Sequence, residues 1–272
     1  MPPIITSATN EQIKQIIRLA KAGERRKRNL FVIEGQKETA MAINAGFEIV
    51  SLFYCNSLAR KESLLHMIKN APASCQLYEV NAAVFEKIAY RERSDGLVAL
   101  AVPKYGKPDE IPLPPKPFII VIESVEKPGN LGAILRTADA AGVNAVFVCD
   151  AQTDIYNPNV VRSSVGCVFS CNIALCESHE AMEFFHKKHI RTYAACLNAK
   201  KSCYDVDFTG ASAVIMGSEA DGLSNVWLNE SDTLVKIPMR GKADSLNVSV
   251  STAILAYEAM RQRGLTKKIQ RK

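Results

Sequence analysis

Phe118-Ile-Ile-Val-Ile122, running on into Glu123-Ser-Val-Glu-Lys-Pro-Gly-Asn130-Leu-Gly-Ala-Ile-Leu-Arg136-Thr-Ala-Asp139, is the stretch that decides the fold. Five consecutive apolar residues read as a strand covered on both faces, the mark of a parallel sheet. A polar loop with Pro128-Gly129 follows. Asn130 then stands where a helix N-cap belongs, and Ile134, Leu135 and Ala138 give the next segment helical spacing with Arg136 among them. Downstream, strands at 145–149, 192–195 and 213–216 alternate with a helix at 180–188. A long helix closes the pattern at about 248–263. Strands alternating with helices imply a parallel sheet with ligands at the carboxyl ends of its strands.

Upstream, residues 103–117 hold six prolines in fifteen positions, which neither a helix nor a sheet interior tolerates, so they read as a semi-rigid linker. The expected division is 1–102, the linker 103–117, and 118–272. The first part mixes strands at 30–33, 49–55, 77–80 and 97–102 with helices at 10–22, 38–44, 58–69 and 82–89, as in a small α/β sandwich.

Composition bounds the function. The chain has 272 residues, 47% hydrophobic and 23% charged, which is ordinary globular usage. It holds no apolar run of the roughly 18 residues that a membrane helix needs. The start carries neither a basic n-region nor an apolar h-region, so a cytoplasmic protein with reduced thiols is expected from its eight cysteines. A net charge of +6 suits a polyanion without requiring one. Basic groups concentrate at Arg25-Arg26-Lys27-Arg28 and in the terminal set Arg261, Arg263, Lys267, Lys268, Arg271 and Lys272; each reads equally as a phosphate track or a solvated helix end. Tyr54, Tyr78 and Tyr90 are open to a base-stacking or a core reading.

Two further segments put polar and glycine residues where a core sheet should turn. Val214-Ile-Met-Gly217-Ser-Glu219-Ala-Asp-Gly222 ends a strand in Gly-x-Glu-x-x-Gly. It lacks the middle glycine of a dinucleotide loop, and its carboxylate would repel a pyrophosphate, which argues against a nucleotide-dependent oxidoreductase. Ile237-Pro-Met-Arg240-Gly-Lys-Ala-Asp-Ser245-Leu246-Asn247-Val-Ser opens the last helix with two capping residues able to meet a phosphate. Cys167, Cys171, Cys176 and His179 lack a Cys-x2-Cys pair and lie among apolar residues, so buried thiols are preferred to zinc.

In order and spacing, these three segments resemble the signature motifs of the SpoU (TrmH-like) RNA ribose 2′-O-methyltransferases, members of the SPOUT superfamily, over residues 118–263. The segment Asp154-Ile-Tyr-Asn-Pro-Asn-Val-Val-Arg162 through Phe169 matches as well. Phe31-Val-Ile-Glu34-Gly35 and Ser94-Asp-Gly-Leu-Val-Ala99 resemble the RNA substrate-binding domain fused ahead of such enzymes, a fold shared with ribosomal proteins. The resemblance implies an α/β parallel-sheet domain with a deep trefoil knot, homodimeric through the apolar Ala253, Ile254, Ala256, Tyr257 and Met260. By sequence alone those five apolar residues would equally pack on the sheet. The resemblance also implies S-adenosyl-L-methionine held by backbone at Gly217, Ile237 and Leu246, and catalytic roles for Asn130, Arg136, Glu219, Ser245 and Asn247. Arg25, Arg26, Lys27, Arg28 and Arg162 are the expected RNA-binding residues. Family members with the front domain mostly act on ribosomal RNA, so 23S rRNA is the expected substrate, with tRNA the alternative. A non-catalytic RNA-binding protein would need a lesion at a motif position, and none is present.

The resemblance makes the arginine a base. A guanidinium stays charged at any physiological pH, so Arg136 is expected instead to grip a phosphate and steady the developing alkoxide. Asn130 and Glu219 would orient it.

Overall fold

The structure, a computed structural model, describes residues 4–59, 61–72, 74–90 and 94–264. The chain forms two compact units, Met1–Lys104 with Asp154–Ser170, and Tyr105–Thr153 with Cys171–Lys272.

The first unit begins with α1 (Glu11–Arg18) and α2 (Ala22–Arg28). It continues through β1 (Phe31–Glu34), α3 (Gln36–Asn44), β2 (Ile49–Tyr54), α4 (Lys61–Asn70), β3 (Gln76–Glu79), α5 (Ala82–Ile88) and β4 (Leu97–Ala101). The strands order as β1-β4-β2-β3, with β4 antiparallel to both neighbours and β3 parallel to β2. Side chains alternate across a strand, so both faces of this apolar sheet need cover. On one face Val32, Phe53, Val98 and Leu100 meet Ile13 and Ile16 of α1 and Val84 and Phe85 of α5. Asn10 starts α1 by accepting the Gln12 N–H at 2.9 Å. On the other face Phe31 stacks on Tyr156 at 4.3 Å between ring centroids, and Phe47 and Phe169 close the cluster edge-on.

The second unit contains β5 (Phe118–Glu123), α6 (Pro128–Ala140) and β6 (Ala145–Cys149). The chain then contributes α7 (Pro158–Ser163) to the first unit. It resumes with β7 (Ile173–Cys176), α8 (Ser178–Lys187), β8 (Arg191–Ala195), β9 (Lys201–Ser202), β10 (Ser212–Met216), α9 (Asn225–Glu230), β11 (Thr233–Lys236) and α10 (Val248–Gln262). Seven strands order as β7-β6-β5-β10-β8-β11-β9, all parallel. Every residue of β5 and β10 is buried, as an unbroken apolar run in a parallel sheet requires. α10 packs on α6, while α8 and α9 pack together. Phe147, Phe185 and Trp227 share one core with Ile119 and Ile215.

The proline-rich stretch lies against this second unit. Gly106 accepts the Leu175 N–H at 2.9 Å through its carbonyl, and Ile111 and Leu113 pack on the core. A Cβ on Gly106 would lie 2.6 Å from the Ile173 carbonyl oxygen, so only glycine permits this approach. Among the described residues no helix is long and apolar enough to cross a membrane.

Candidate active site

β5 and β10 lie side by side at the centre of the sheet, and the chain leaves them in opposite directions, β5 towards β6 and β10 towards β11. Such a divergence opens a crevice at the carboxyl ends of the two strands.

Three loops meet there. After β5, Lys127 occupies the N-cap of α6 and Pro128 its first position, where the missing N–H costs nothing. The expectation that Asn130 caps this helix is corrected: Asn130 sits within the first turn, leaving its side chain for the neighbouring loops. After β10, Ser218 and Gly222 exchange backbone hydrogen bonds of 2.9 and 3.2 Å, closing a tight turn with Glu219 at its tip. The turn is so narrow that a Cβ on Gly217 would lie 2.2 Å from the Gly222 carbonyl oxygen. After β11, Asn247 caps α10, its Oδ1 accepting the Ser249 N–H at 3.0 Å and the Ser249 hydroxyl at 2.6 Å.

Asn130 Nδ2 donates to Glu219 Oε1, and Asn247 Nδ2 donates to Asn130 Oδ1 at 3.2 Å. Lys127 Nζ, unmarked in the motif reading, stands 3.9 Å from Glu219 Oε2. Three of the five expected catalytic residues thus touch. Arg136 does not join them. It is exposed and, among the described residues, its side chain makes no hydrogen bond or ion pair. Six helical positions carry it about 9 Å along the axis and about 120° around it. The expectation that Asn130 and Glu219 orient Arg136 is therefore corrected, since the Asn130 amide is engaged by Glu219 and Asn247. Ser245 is exposed, Ile237 half-buried and Leu246 39% exposed, all beside this crevice in sequence.

The expected RNA-binding set divides. Arg25 is only 4% exposed; it donates to the carbonyls of Leu19 and Ala20 at 2.8 and 2.9 Å and pairs with Asp154 at 2.6 Å. Three of its five N–H groups are spent inside the protein and almost none of its surface reaches solvent, so Arg25 is removed from that set. Arg28 pairs with Glu24 at 2.9 Å, whereas Arg26, Lys27 and Arg162 are exposed. Arg162 lies on α7 rather than on a loop. Tyr54 is buried and Tyr78 stacks on Phe53, which favours core roles. Lys267, Lys268, Arg271 and Lys272 lie outside the described residues. Cys167 sits in a 3-10 turn, while Cys176 Sγ lies 3.8 Å from Cys149 Sγ. That hydrogen bond and burial push the Cys149 thiol far up from its ordinary value.

Sequence reasoning also missed a buried polar group beneath the crevice. Glu123, the last residue of β5, is 3% exposed and contacts Ser178 and the Ser224 backbone. Its only signal was a carboxylate ending an otherwise apolar, fully buried strand.

Residues 117–257 match the family described as the SpoU rRNA Methylase family, and residues 10–99 match an MRM3-like substrate binding domain. The chain belongs to the SpoU rRNA methylase family. Two members similar to it are an uncharacterized tRNA/rRNA methyltransferase of Synechocystis (30% identical, covering 95% of this chain and 93% of the relative) and RlmP of Bacillus subtilis, a 23S rRNA (guanosine(2553)-2′-O)-methyltransferase (27% identical, 93% and 97%). A solved SpoU methyltransferase, AviRb from Streptomyces viridochromogenes in complex with AdoMet, superposes with a TM-score of 0.86 at 25% identity, covering 93% of this chain and 98% of that one. As a SpoU methylase the protein is an S-adenosylmethionine-dependent methyltransferase.

The crevice suits that cofactor. Among the described residues, segment 238–246 makes no backbone–backbone hydrogen bond, so its N–H and C=O groups stand ready for a ligand. The partly exposed apolar side chains of Met239 and Leu246 flank those groups.

Proposed function

We propose that this SpoU methylase methylates a ribose 2′-oxygen in structured RNA, with 23S rRNA as the substrate class. The observation that carries the reading is the meeting of Asn130, Glu219 and Asn247 at the β5/β10 crevice, each supplied by a different loop. The RNA class rests on relatives such as RlmP, a 23S rRNA (guanosine(2553)-2′-O)-methyltransferase.

S-adenosylmethionine supplies a sulfonium methyl already activated for transfer, so the protein's own contribution is in-line positioning and help with one proton. Backbone at Gly217, Ile237 and Leu246 holds the cofactor. Asn130 fixes Glu219 and Asn247 relative to one another, which sets the walls of the crevice. Ser245 and Asn247 bind the ribose–phosphate, Asn247 at the positive end of a 15-residue helix. Arg136, exposed and with no side-chain partner among the described residues, clamps the adjacent phosphate bidentately and steadies the alkoxide as its proton leaves. Lys127 adds positive charge at the mouth.

Residues 1–102, with the excursion 154–170 packed on them, act as the RNA substrate-binding domain, and the rest of 118–272 as the methyltransferase domain, joined by 103–117. Arg26, Lys27 and Arg162 track phosphates. The return of α10 from β11 to pack on α6, β5 and β10 supports a deep trefoil knot in the second domain. Tyr257, 46% exposed, with Val250, Ile254, Ala253 and Met260, supports a homodimer through α10; Ala256, 1% exposed, is excluded from that face. The reading places the protein in the cytoplasm, with its RNA.

The test is transfer of tritiated methyl from S-adenosylmethionine to total RNA of a strain lacking this protein, fractionated into 23S, 16S and tRNA. Label in 23S that disappears with Arg136→Ala is the expected result. Label in tRNA keeps the chemistry and replaces the substrate. Absence of label from every fraction, naked or in ribosomal assembly intermediates, sinks the proposal in favour of a binding protein.

A further inference from the structure

Glu123 is a carboxylate buried at the carboxyl end of β5, and a charge so placed is retained only with dedicated partners. Its Oε2 accepts the backbone N–H of Ser224 at 2.8 Å, and its Oε1 lies 3.1 Å from the Ser178 hydroxyl, whose single proton it shares with the Asp150 carboxylate. Ser178, the first residue of α8, is held in turn by the indole N–H of the fully buried Trp227 at 2.9 Å and by the Asp150 carboxylate. The backbone around this group is unusual: Ser124 and Asp150, which follow β5 and β6, adopt φ of 51° and 50°, a left-handed conformation that non-glycine residues enter at a cost.

The Ser224 N–H closes the loop that bears Glu219. Ser218 and Gly222 already pinch the base of that turn, and Gly217 lies against Gly222. Beyond the neck, where Leu223 is buried in the core, the turn is held by Asp221 N donating to the Ser218 hydroxyl within it and by Glu219 reaching Asn130 and Lys127. The bond from Ser224 to Glu123 therefore joins the neck of the turn to the end of β5, the strand that also launches the loop bearing Asn130. Both partners of the Asn130–Glu219 contact are referred to one buried carboxylate.

We propose that Glu123 is a positioning residue for methyl transfer: its carboxylate, braced by Ser178 and Trp227, pins the neck of loop 217–224 and so sets where Glu219 meets Asn130. The inference rests on the functional reading above for its kinetic consequence and on geometry alone for the anchoring. A charge-assisted bond to a main-chain N–H is stronger than a neutral one and survives substitution at the donor residue, since every residue but proline carries that N–H.

The experiment uses the full chain with Glu123→Ala and Glu123→Gln, each alone and with Glu219→Ala, in two measurements. Amide hydrogen exchange reports on 217–224, and single-turnover methyl transfer reports on the site. Glu123→Ala is expected to speed exchange across 217–224 and to lower the transfer rate about 100-fold, the order of loss that a displacement near 1 Å produces. Glu123→Gln keeps an oxygen for Ser224 N–H and is expected to restore protection and most of the rate. In the Glu219→Ala background, Glu123→Ala should cost little more, because the group it positions is already gone. Unchanged exchange at 217–224 in Glu123→Ala overturns the proposal whatever the activity. So does a full additional rate loss in the Glu219→Ala background, or a Glu123→Gln variant as loose as Glu123→Ala. Loosened exchange in a protein whose unsubstituted form transfers no methyl upholds the anchoring and overturns the functional reading instead.

Discussion

Asn130 and Glu219 are 89 positions apart in the chain and share a hydrogen bond in which the amide donates and the carboxylate accepts. The other end of the same amide receives the Asn247 side chain, and Asn247 spends its own oxygen on Ser249. The relay has a fixed direction, because Asn247 Oδ1 already accepts and only its amide nitrogen is left to donate.

That direction yields a prediction about charge. Asn130→Asp keeps the size of the side chain but replaces the donor facing Glu219 with a second carboxylate. Loss of one preorganised donor at such a site costs about 10²–10³ in rate, and like-charge repulsion adds to it. Single-turnover methyl transfer should show at least that fall, larger than for Asn130→Ala. An Asn130→Asp enzyme more active than Asn130→Ala would refute the relay.

Gly217 and Gly222 should respond differently to the same methyl group. At Gly217 an added Cβ lies 2.2 Å from backbone that cannot yield, whereas at Gly222 nothing lies within 4 Å but φ is +70°. Gly217→Ala is expected to open the turn, destabilise the protein by about 1–3 kcal/mol and weaken cofactor binding about tenfold or more. Gly222→Ala is expected to carry only the left-handed backbone cost of about 1–2 kcal/mol, with cofactor affinity kept within a few-fold. Calorimetric titration with S-adenosylmethionine separates the two.

The basic run at 25–28 should divide by function. Arg25→Ala leaves Asp154 and two carbonyls without a buried donor and should destabilise by about 3–5 kcal/mol. Joint Arg26→Ala and Lys27→Ala should leave urea unfolding unchanged, weaken RNA binding and reduce the slope of log affinity against log salt by about 2. Equal RNA losses with an unchanged salt slope would count against phosphate contacts.

Acid sensitivity is expected from α10. Hydrogen bonds from Arg261, then from Gln262, hold the Glu258 carboxyl below its ordinary value of 4.5. A carboxylate depressed in the folded state stabilises above its unfolded value and loses that contribution as pH falls through the folded value. Stability should therefore drop progressively below about pH 4.5, and Glu258→Gln should flatten that part of the profile in chemical denaturation at stepped pH.

What could be read from the chain follows from the range of the forces involved. β5 and α10 were legible because burial on both faces, or along a stripe, imprints consecutive residues. The start of α6 was placed late because Pro128 looks like a breaker, whereas at the first helical position it is an initiator. Asn130, Glu219 and Asn247 were legible as motif residues but their mutual contact was not. Arg25 was hidden inside a run of four cations that spacing cannot tell apart, and only one of the four is buried. Glu123 was invisible as an anchor, since its partners lie 55 and 101 positions away. β9, two residues long, has no period to detect.

The excursion of Asp154–Ser170 into the first unit limits how this protein can be taken apart or recombined. A fragment ending at Lys104 would leave Phe31 without Tyr156 and Phe169, and Arg25 without Asp154, setting apolar rings and an unmatched cation in water. The first unit is thus encoded by two separated stretches of gene. An end-to-end swap of front domains between relatives would carry one stretch and strand the other, so exchange of RNA preference by grafting must move both together.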